Sequence, residues 1–287
     1  MTKIREASLV VFDVETTGID TSRDRVVEIG AALRDSGGAW VRRSSRVNPG
    51  IPIPQAASAV HGIDDARVAD AETFVSVWPR VLALLSGRQL AGYNVLHYDL
   101  PLLAAEAGRH GCQVLSSDRV LDAMVFVNWH LRGGGRKLTD VAERFDVYPV
   151  GGKAHSAAVD CQMTGEVLLA MVDAGLVPGT VDEALVEQAR LAPIVEAEYA
   201  RWGAFLYRDR VSNRLRVGAG KHVGLLLAET PKSYLQFCLQ KFTDLAADTA
   251  AAFRAAVDGR LGDEFQEQIP GVPTETPRPR DDGEVRR

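Results

Sequence analysis

Along the chain, apolar residues come first as short unbroken runs and later at helical spacing. Leu9, Val10, Val11 and Phe12 form one such run, β-branched and aromatic, which predicts a strand buried on both faces. Residues 26–33 and 40–47 predict two further strands, with Asp35-Ser36-Gly37-Gly38 as the hairpin turn between them. Within residues 73–85, Phe74, Val77, Trp78, Val81, Leu84 and Leu85 recur with helical period. Residues 90–93 predict another strand, and residues 100–107, 138–145 and 157–172 predict helices. Strands first, then strands alternating with helices, predict an α/β sheet with helices packed on it.

The pattern changes at Leu176-Val177-Pro178-Gly179, a candidate boundary. Thr180 is placed to cap a following helix, which Pro193 interrupts or ends. A small α+β unit follows. Its strand-like segments 215–217 and 223–227 are joined by residues 218–222, Thr230-Pro231 opens a helix, and a second helix spans 244–257 before Gly259. The expected organisation is a first domain over residues 1–175, a helical linker over 176–201, an accessory domain over 202–262, and a tail over 263–287. That tail is rich in Pro and mixed charge and is expected to be disordered.

The 287 residues, 46% hydrophobic and 25% charged, suit one sizeable domain plus a smaller one. A net charge of −5 excludes a strongly basic nucleic-acid coat. It leaves room for a site that brings its own cations. Cys112, Cys161 and Cys238 form no CxxC pair, so reduced, buried thiols are expected rather than a zinc ribbon or disulfides. No apolar stretch approaches the ~18 residues of a membrane span, and no signal peptide is seen. A cytoplasmic protein with no membrane partner is the expectation.

Three places carry candidate chemistry. Asp13 and Glu15 alternate along the first strand and so project to one side. Such a pair repels itself unless a proton or a hard cation lies between, though an acidic pair at a strand end is also commonly just solvated. Asp99 follows the strand 90–93 and precedes Pro101, where, taken alone, it reads as a helix cap. His155 and Asp160 would lie about 140° apart on one continuous helix. With Ser156 as N-cap, His155 falls in the preceding loop, beside Gly151-Gly152, and suits a general base that closes on substrate. A surface histidine near a helix-face aspartate is the plainer alternative.

Taken together, and in this order, the motifs resemble the DEDDh exonucleases of the ribonuclease H-like superfamily, which include polymerase proofreading subunits. The carrying stretches are residues 11–18, Val60-His61-Gly62-Ile63, 94–99, and His155 to Asp160 followed by Thr164, with Asp122 and residues 138–145 fitting between. Tyr98 departs from the family, where Phe is commoner. The resemblance covers about residues 8–173. It implies a mixed sheet flanked by helices. Asp13, Glu15, Asp99 and Asp160 would hold two divalent ions, Mg2+ or Mn2+, and His155 would act as base. Thr16, Gly18, His61 and Asn94 would touch or flank the terminal nucleotide, although Gly18 also suits a turn and His61 packing. The implied activity is 3′→5′ release of nucleoside 5′-monophosphates.

The loop Arg132-Gly133-Gly134-Gly135-Arg136-Lys137 reads as a phosphate-contacting flap or as a solvated linker. The C-terminal unit resembles a small module attached to exonuclease X-type enzymes, through residues 220–224 and 231–237. Arg208, Arg210, Arg214, Arg216 and Lys221 concentrate positive charge there. With Tyr234 and Phe237 they suit a single-strand stacking platform. A core position is nonetheless expected for Phe237, with Tyr234 left open. The leading expectation is an exonuclease on single-stranded or frayed DNA, in repair or proofreading, with a polymerase or repair partner unspecified. An exoribonuclease and a non-catalytic nucleic-acid-binding module are the alternatives.

Overall fold

The structure is a computed structural model and describes residues 1–35, 37–149, 156–210, 212–262 and 265. By compactness the chain divides into two units, Met1–His130 with Arg136–Arg190, and Leu131–Gly135 with Leu191–Arg287. In chain order the elements of the first are β1 (Leu9–Thr16), β2 (Val26–Arg34), β3 (Trp40–Arg46), α1 (Gln55–His61), α2 (Asp65–Val68), α3 (Phe74–Leu85), β4 (Gln89–Gly92), α4 (Asp99–Arg109), β5 (Val120–Asp122), α5 (Ala123–His130), α6 (Leu138–Arg144) and α7 (Ala157–Asp173). They are followed by α8 (Val181–Trp202), β6 (Leu206–Arg208), β7 (Leu215–Val217), α9 (Lys232–Lys241) and α10 (Ala247–Asp258).

The five-stranded sheet has the order β3-β2-β1-β4-β5. β1 and β3 are antiparallel to β2, whereas β4 runs parallel to both β1 and β5. The expected mixed sheet is therefore present. Alternation along β1 explains why its run of apolar residues is unbroken. Val10, Phe12 and Val14 share a core with α3 and α4, including Phe74, Trp78, Leu102 and Leu103. The opposite face lies under α7, which packs on β1, β2 and β3. Both faces of β1 are thus covered, as its composition predicts.

Helix α5 lacks a helical signature in the sequence. Its run Ala123–His130 is almost uniformly apolar, with Ala123, Val125, Phe126, Val127 and Trp129 buried. A short buried run reads as strand or helix alike. Here Asp122 Oδ1 accepts from Met124 N at 2.9 Å and satisfies a free donor of the first turn. Pro193 does not end α8, which runs through it to Trp202. Proline removes one backbone bond, and the buried side chains Leu191, Ile194 and Trp202 keep the residues around it helical.

In the second unit β7 pairs with β6, not with residues 223–227 as the sequence suggested. Only the bridge Arg216↔Leu226 joins that segment to β7, after which Leu227–Glu229 turns into a short 3-10 helix. Phe237, expected in the core, is 49% exposed. Leu235 and Cys238 fill the core instead, with Trp202, Leu227 and Phe253. The arginines also differ from the expected basic face. Buried Arg208 donates to the Asn213 carbonyl at 2.8 Å, Arg210 pairs with Glu198 at 2.8 Å, and Arg216 pairs with Asp209 at 3.0 Å. Buried guanidinium groups are retained when paired in this way. Apart from Phe265, the tail from residue 263 onward lies outside the described residues. Cys112, Cys161 and Cys238 are free thiols, the last two buried. Among the described residues no helix is long and apolar enough to cross a membrane.

Candidate active site

Asp13 and Glu15 stand on the part of β1 that outruns its parallel neighbour. The β1–β4 pairing ends at Val11↔Ala91. Beyond it, Val14 N donates to Asp99 Oδ1 at 2.9 Å, so a carboxylate from the first turn of α4 replaces the missing strand. Asp99 is therefore not the plain helix cap that the sequence alone offered. Tyr98 occupies the N-cap position, and the Asp99 side chain, 2% exposed, reaches across to β1.

Asp160 arrives from the other side. Ser156 is the N-cap of α7, as its spacing suggested, and Asp160 lies in the first turn. Gly30 makes that approach feasible. It faces Asp13 across the β1–β2 ladder, and a Cβ there would stand 2.6 Å from the backbone carbon of Ala157. The alanines that open α7 thereby rest directly on the sheet.

The charges interact strongly. Asp13 is held well above the usual carboxylate range by burial and by the charges of Asp99, Glu15, Asp160 and Glu28. Glu15 is pushed up to about 7 by burial, then by Glu28 and Asp160. Asp99 is also pushed up to about 7, burial again leading, while bonds from the backbone at Val14 and at Asp99 itself oppose it. Each carboxylate raises its neighbours because ionising one makes ionising the next harder. Glu28 was not anticipated. It lies opposite Glu15 in the cross-strand register and accepts from Ser44 Oγ.

The donor set is all oxygen and anionic, which in chemistry suits a hard divalent cation. Among the described residues no group of three or more His, Cys, Asp or Glu side chains stands placed to hold a metal ion. His155 lies outside the described residues.

The four residues expected to flank a nucleotide fall in two groups. Thr16, Gly18 and His61 come together. Thr16 Oγ1 donates to the Gly18 carbonyl at 2.7 Å, and the Tyr98 hydroxyl bonds both Thr16 and Gly18. His61 Nδ1 accepts from Ile63 N at 3.0 Å, which leaves Nε2 to donate to the Thr16 carbonyl at 3.2 Å. Burial holds its pKa below the ordinary value, in keeping with this neutral ring. Asn94 follows β4 with φ 65°, a left-handed backbone that Asn tolerates. Its amide donates to Asp122 Oδ1 at 2.8 Å, and Leu96 N donates to Oδ2 at 3.1 Å. Buried Asp122 thus fixes the turn that delivers α4. Asn94 lines a cavity of about 590 Å3 with Tyr93, Leu138, Met163 and Asp160. Arg136 and Lys137 line the same cavity.

A mixed five-stranded sheet with helices on both faces, carrying an acidic pair on its central strand, is the ribonuclease H-like fold. The exonuclease family model RNase_T matches residues 10–168, more than half of the chain, and the chain belongs to that family. The expected DEDDh-type resemblance is shown with it. Uncharacterized exonuclease CP81 of Escherichia phage 186 is 31% identical over 182 residues, which cover 59% of this chain and 91% of that protein. The PolC-type DNA polymerase III of Caldanaerobacter subterraneus subsp. tengcongensis is 31% identical over 170 residues, 58% of this chain and 12% of the polymerase. The chain therefore spans only a small part of that relative's length. Exonuclease X, solved in complex with 5′ overhanging duplex DNA, shares the fold with a TM-score of 0.50 at 22% identity, over 63% of this chain and 99% of that one.

Proposed function

We propose that this exonuclease removes nucleotides from the 3′ end of single-stranded or frayed DNA, with Asp13, Glu15, Asp99 and Asp160 holding two divalent ions, Mg2+ or Mn2+. The observation that carries the reading is the bond from Val14 N to Asp99, with the mutual charge coupling of Asp13, Glu15, Asp99 and Asp160 around it. Collecting anionic groups opposes binding of a polyanion, so their presence points to cation-assisted chemistry rather than to a binding module.

Bound there, divalent ions would supply the positive charge that lets water attack an anionic phosphodiester. His155 accepts the proton of that water. The water oxygen bonds to phosphorus, the bond to the 3′ oxygen of the preceding nucleotide breaks, and that oxygen leaves as a hydroxyl on protonation. The product is a nucleoside 5′-monophosphate. Thr16, Gly18 and His61 would frame the terminal nucleotide on one side of the acidic cluster. Asn94, Arg136 and Lys137 would receive the strand in the neighbouring cavity.

One digestion series tests this: labelled single- and double-stranded DNA and RNA, with Mg2+ or Mn2+ and with chelator. Mononucleotides released from DNA 3′ ends only with metal are expected. Faster digestion of matched RNA would make the protein an exoribonuclease of the same family, and no mononucleotide release under any condition would reduce it to a binding module.

A further inference from the structure

Helix α9 has the sequence KSYLQFCLQK and holds no acidic residue. Leu235 and Cys238 point into the core of the second unit, so the rows turned away from it should carry polar groups. The row beside it instead carries Tyr234, Phe237 and Lys241, at i, i+3 and i+7, and leads from Tyr234, packed against the edge of the core, to the exposed Phe237 and Lys241. Phe237 is 49% exposed, an unusual position for a phenylalanine on a polar helix face.

The row continues beyond the helix. His222 meets Tyr234 edge-on at 4.6 Å, Tyr234 stacks with Phe237 at 6.5 Å, and Lys241 Nζ lies 5.4 Å from the Phe237 ring centre. The geometry is held in place. The Tyr234 hydroxyl is bonded by the backbone of Lys221 and by Cys238. Gly220, at φ +83°, lets the loop lie against that hydroxyl, which a Cβ would strike. Lys221 and Lys241, beside the rings, are exposed.

Ordered aromatic faces beside exposed ammonium groups match the chemistry of a flexible polyanion with flat rings. We infer that the His222–Tyr234–Phe237–Lys241 row is a stacking surface for the unpaired bases of a single-stranded nucleic acid. The rings take the bases and the lysines take the phosphates. The inference borrows only the ligand class from the nuclease reading.

The test is fluorescence polarisation of full-length protein in chelator, with a labelled oligothymidylate of about 20 nucleotides, longer than common single-strand sites. Phe237→Ala should weaken binding about tenfold and Phe237→Trp should restore it, since a base stack is worth roughly 1–3 kcal/mol. Lys241→Gln should reduce the salt dependence by about one phosphate. Hydrolysis of a dinucleotide with metal should stay unchanged in all three. Equal affinity of Phe237→Ala and wild type overturns the inference whether or not the protein cuts DNA. So does unchanged affinity together with an altered sedimentation coefficient, which would give the face to a second copy of the chain. Weakened binding by a protein that proves unable to hydrolyse anything would sink the nuclease reading and leave this one standing.

Discussion

Asp13 sits among like charges, and its substitution should separate stability from activity. Asp13→Asn removes one anion from a cluster in which Asp99, Glu15, Asp160 and Glu28 all oppose its ionisation. In chelator the variant should melt a few degrees above wild type, in line with roughly 1 kcal/mol of relieved repulsion. Its hydrolysis should be lost. Millimolar Mg2+ or Mn2+ should raise the melting temperature of the wild type and leave that of Asp13→Asn nearly still, because a ligand stabilises only the state that binds it. Thermal denaturation with and without metal checks both, and equal metal shifts in the two proteins would remove Asp13 from the ion site. Tyr98 makes a second residue-scale case. Its hydroxyl bonds Thr16 and Gly18, which a phenylalanine could not do. Tyr98→Phe should raise KM about fivefold with kcat little changed, the worth of about one hydrogen bond. Steady-state kinetics on a short oligonucleotide decide it; an unchanged KM would leave the hydroxyl without a role in positioning the loop.

Gly30 shows, at the level of elements, how a residue without a side chain builds the site. A Cβ would meet the backbone carbon of Ala157 at 2.6 Å and the amide of Ala158 at 2.7 Å. Helix backbone cannot give way as a flexible side chain does, so Gly30→Val should displace the start of α7 and carry Asp160 with it. We expect a loss of about 1–3 kcal/mol in stability by urea titration, and a fall in hydrolysis larger than the unfolded fraction accounts for. Normal activity in a folded Gly30→Val protein would contradict this. The edge of the sheet is closed by a side chain: Gln188 accepts from Asp122 N at 2.6 Å and donates to the Val120 carbonyl at 2.9 Å, as a neighbouring strand would. Gln188→Leu leaves both backbone groups of β5 buried and unpaired, and chemical denaturation should register about 2 kcal/mol of lost stability. The elements themselves were largely legible in the sequence, since β1 to β4 and α3, α4, α6 and α7 follow from apolar period. Helix α5 was not, because a buried run of eight residues fits either period. Nor was the true partner of β7, which depends on long-range pairing that local composition does not encode.

For the molecule as a whole, charge is distributed differently from its count. The chain carries a net charge of −5, and several arginines of the second unit are engaged with its own groups. Arg132 and Arg210 share buried Glu198, and Arg208 donates to backbone carbonyls. With these arginines engaged and a net charge of −5, the metal-free protein should bind single strands with a shallow salt dependence, a log–log slope between about −1 and −3. Titrations across salt concentrations measure it, and a slope near about −6 would overturn this expectation.

By itself the sequence determined which side chains were on offer, namely an acidic pair on an apolar strand, an aspartate at a helix start and another one turn inside a later helix. It also determined where most strands and helices of the first unit fall, because period and capping are local properties. His155, expected from its place before Ser156, lies outside the described residues. Tertiary structure decided what those groups become. It drew Asp13 and Asp99 together through the amide of Val14, set Glu28 opposite Glu15 by strand register, and turned Phe237 outward while Cys238 turned inward. Such outcomes depend on which surfaces meet and in what register, and those are fixed by contacts between residues far apart in the chain.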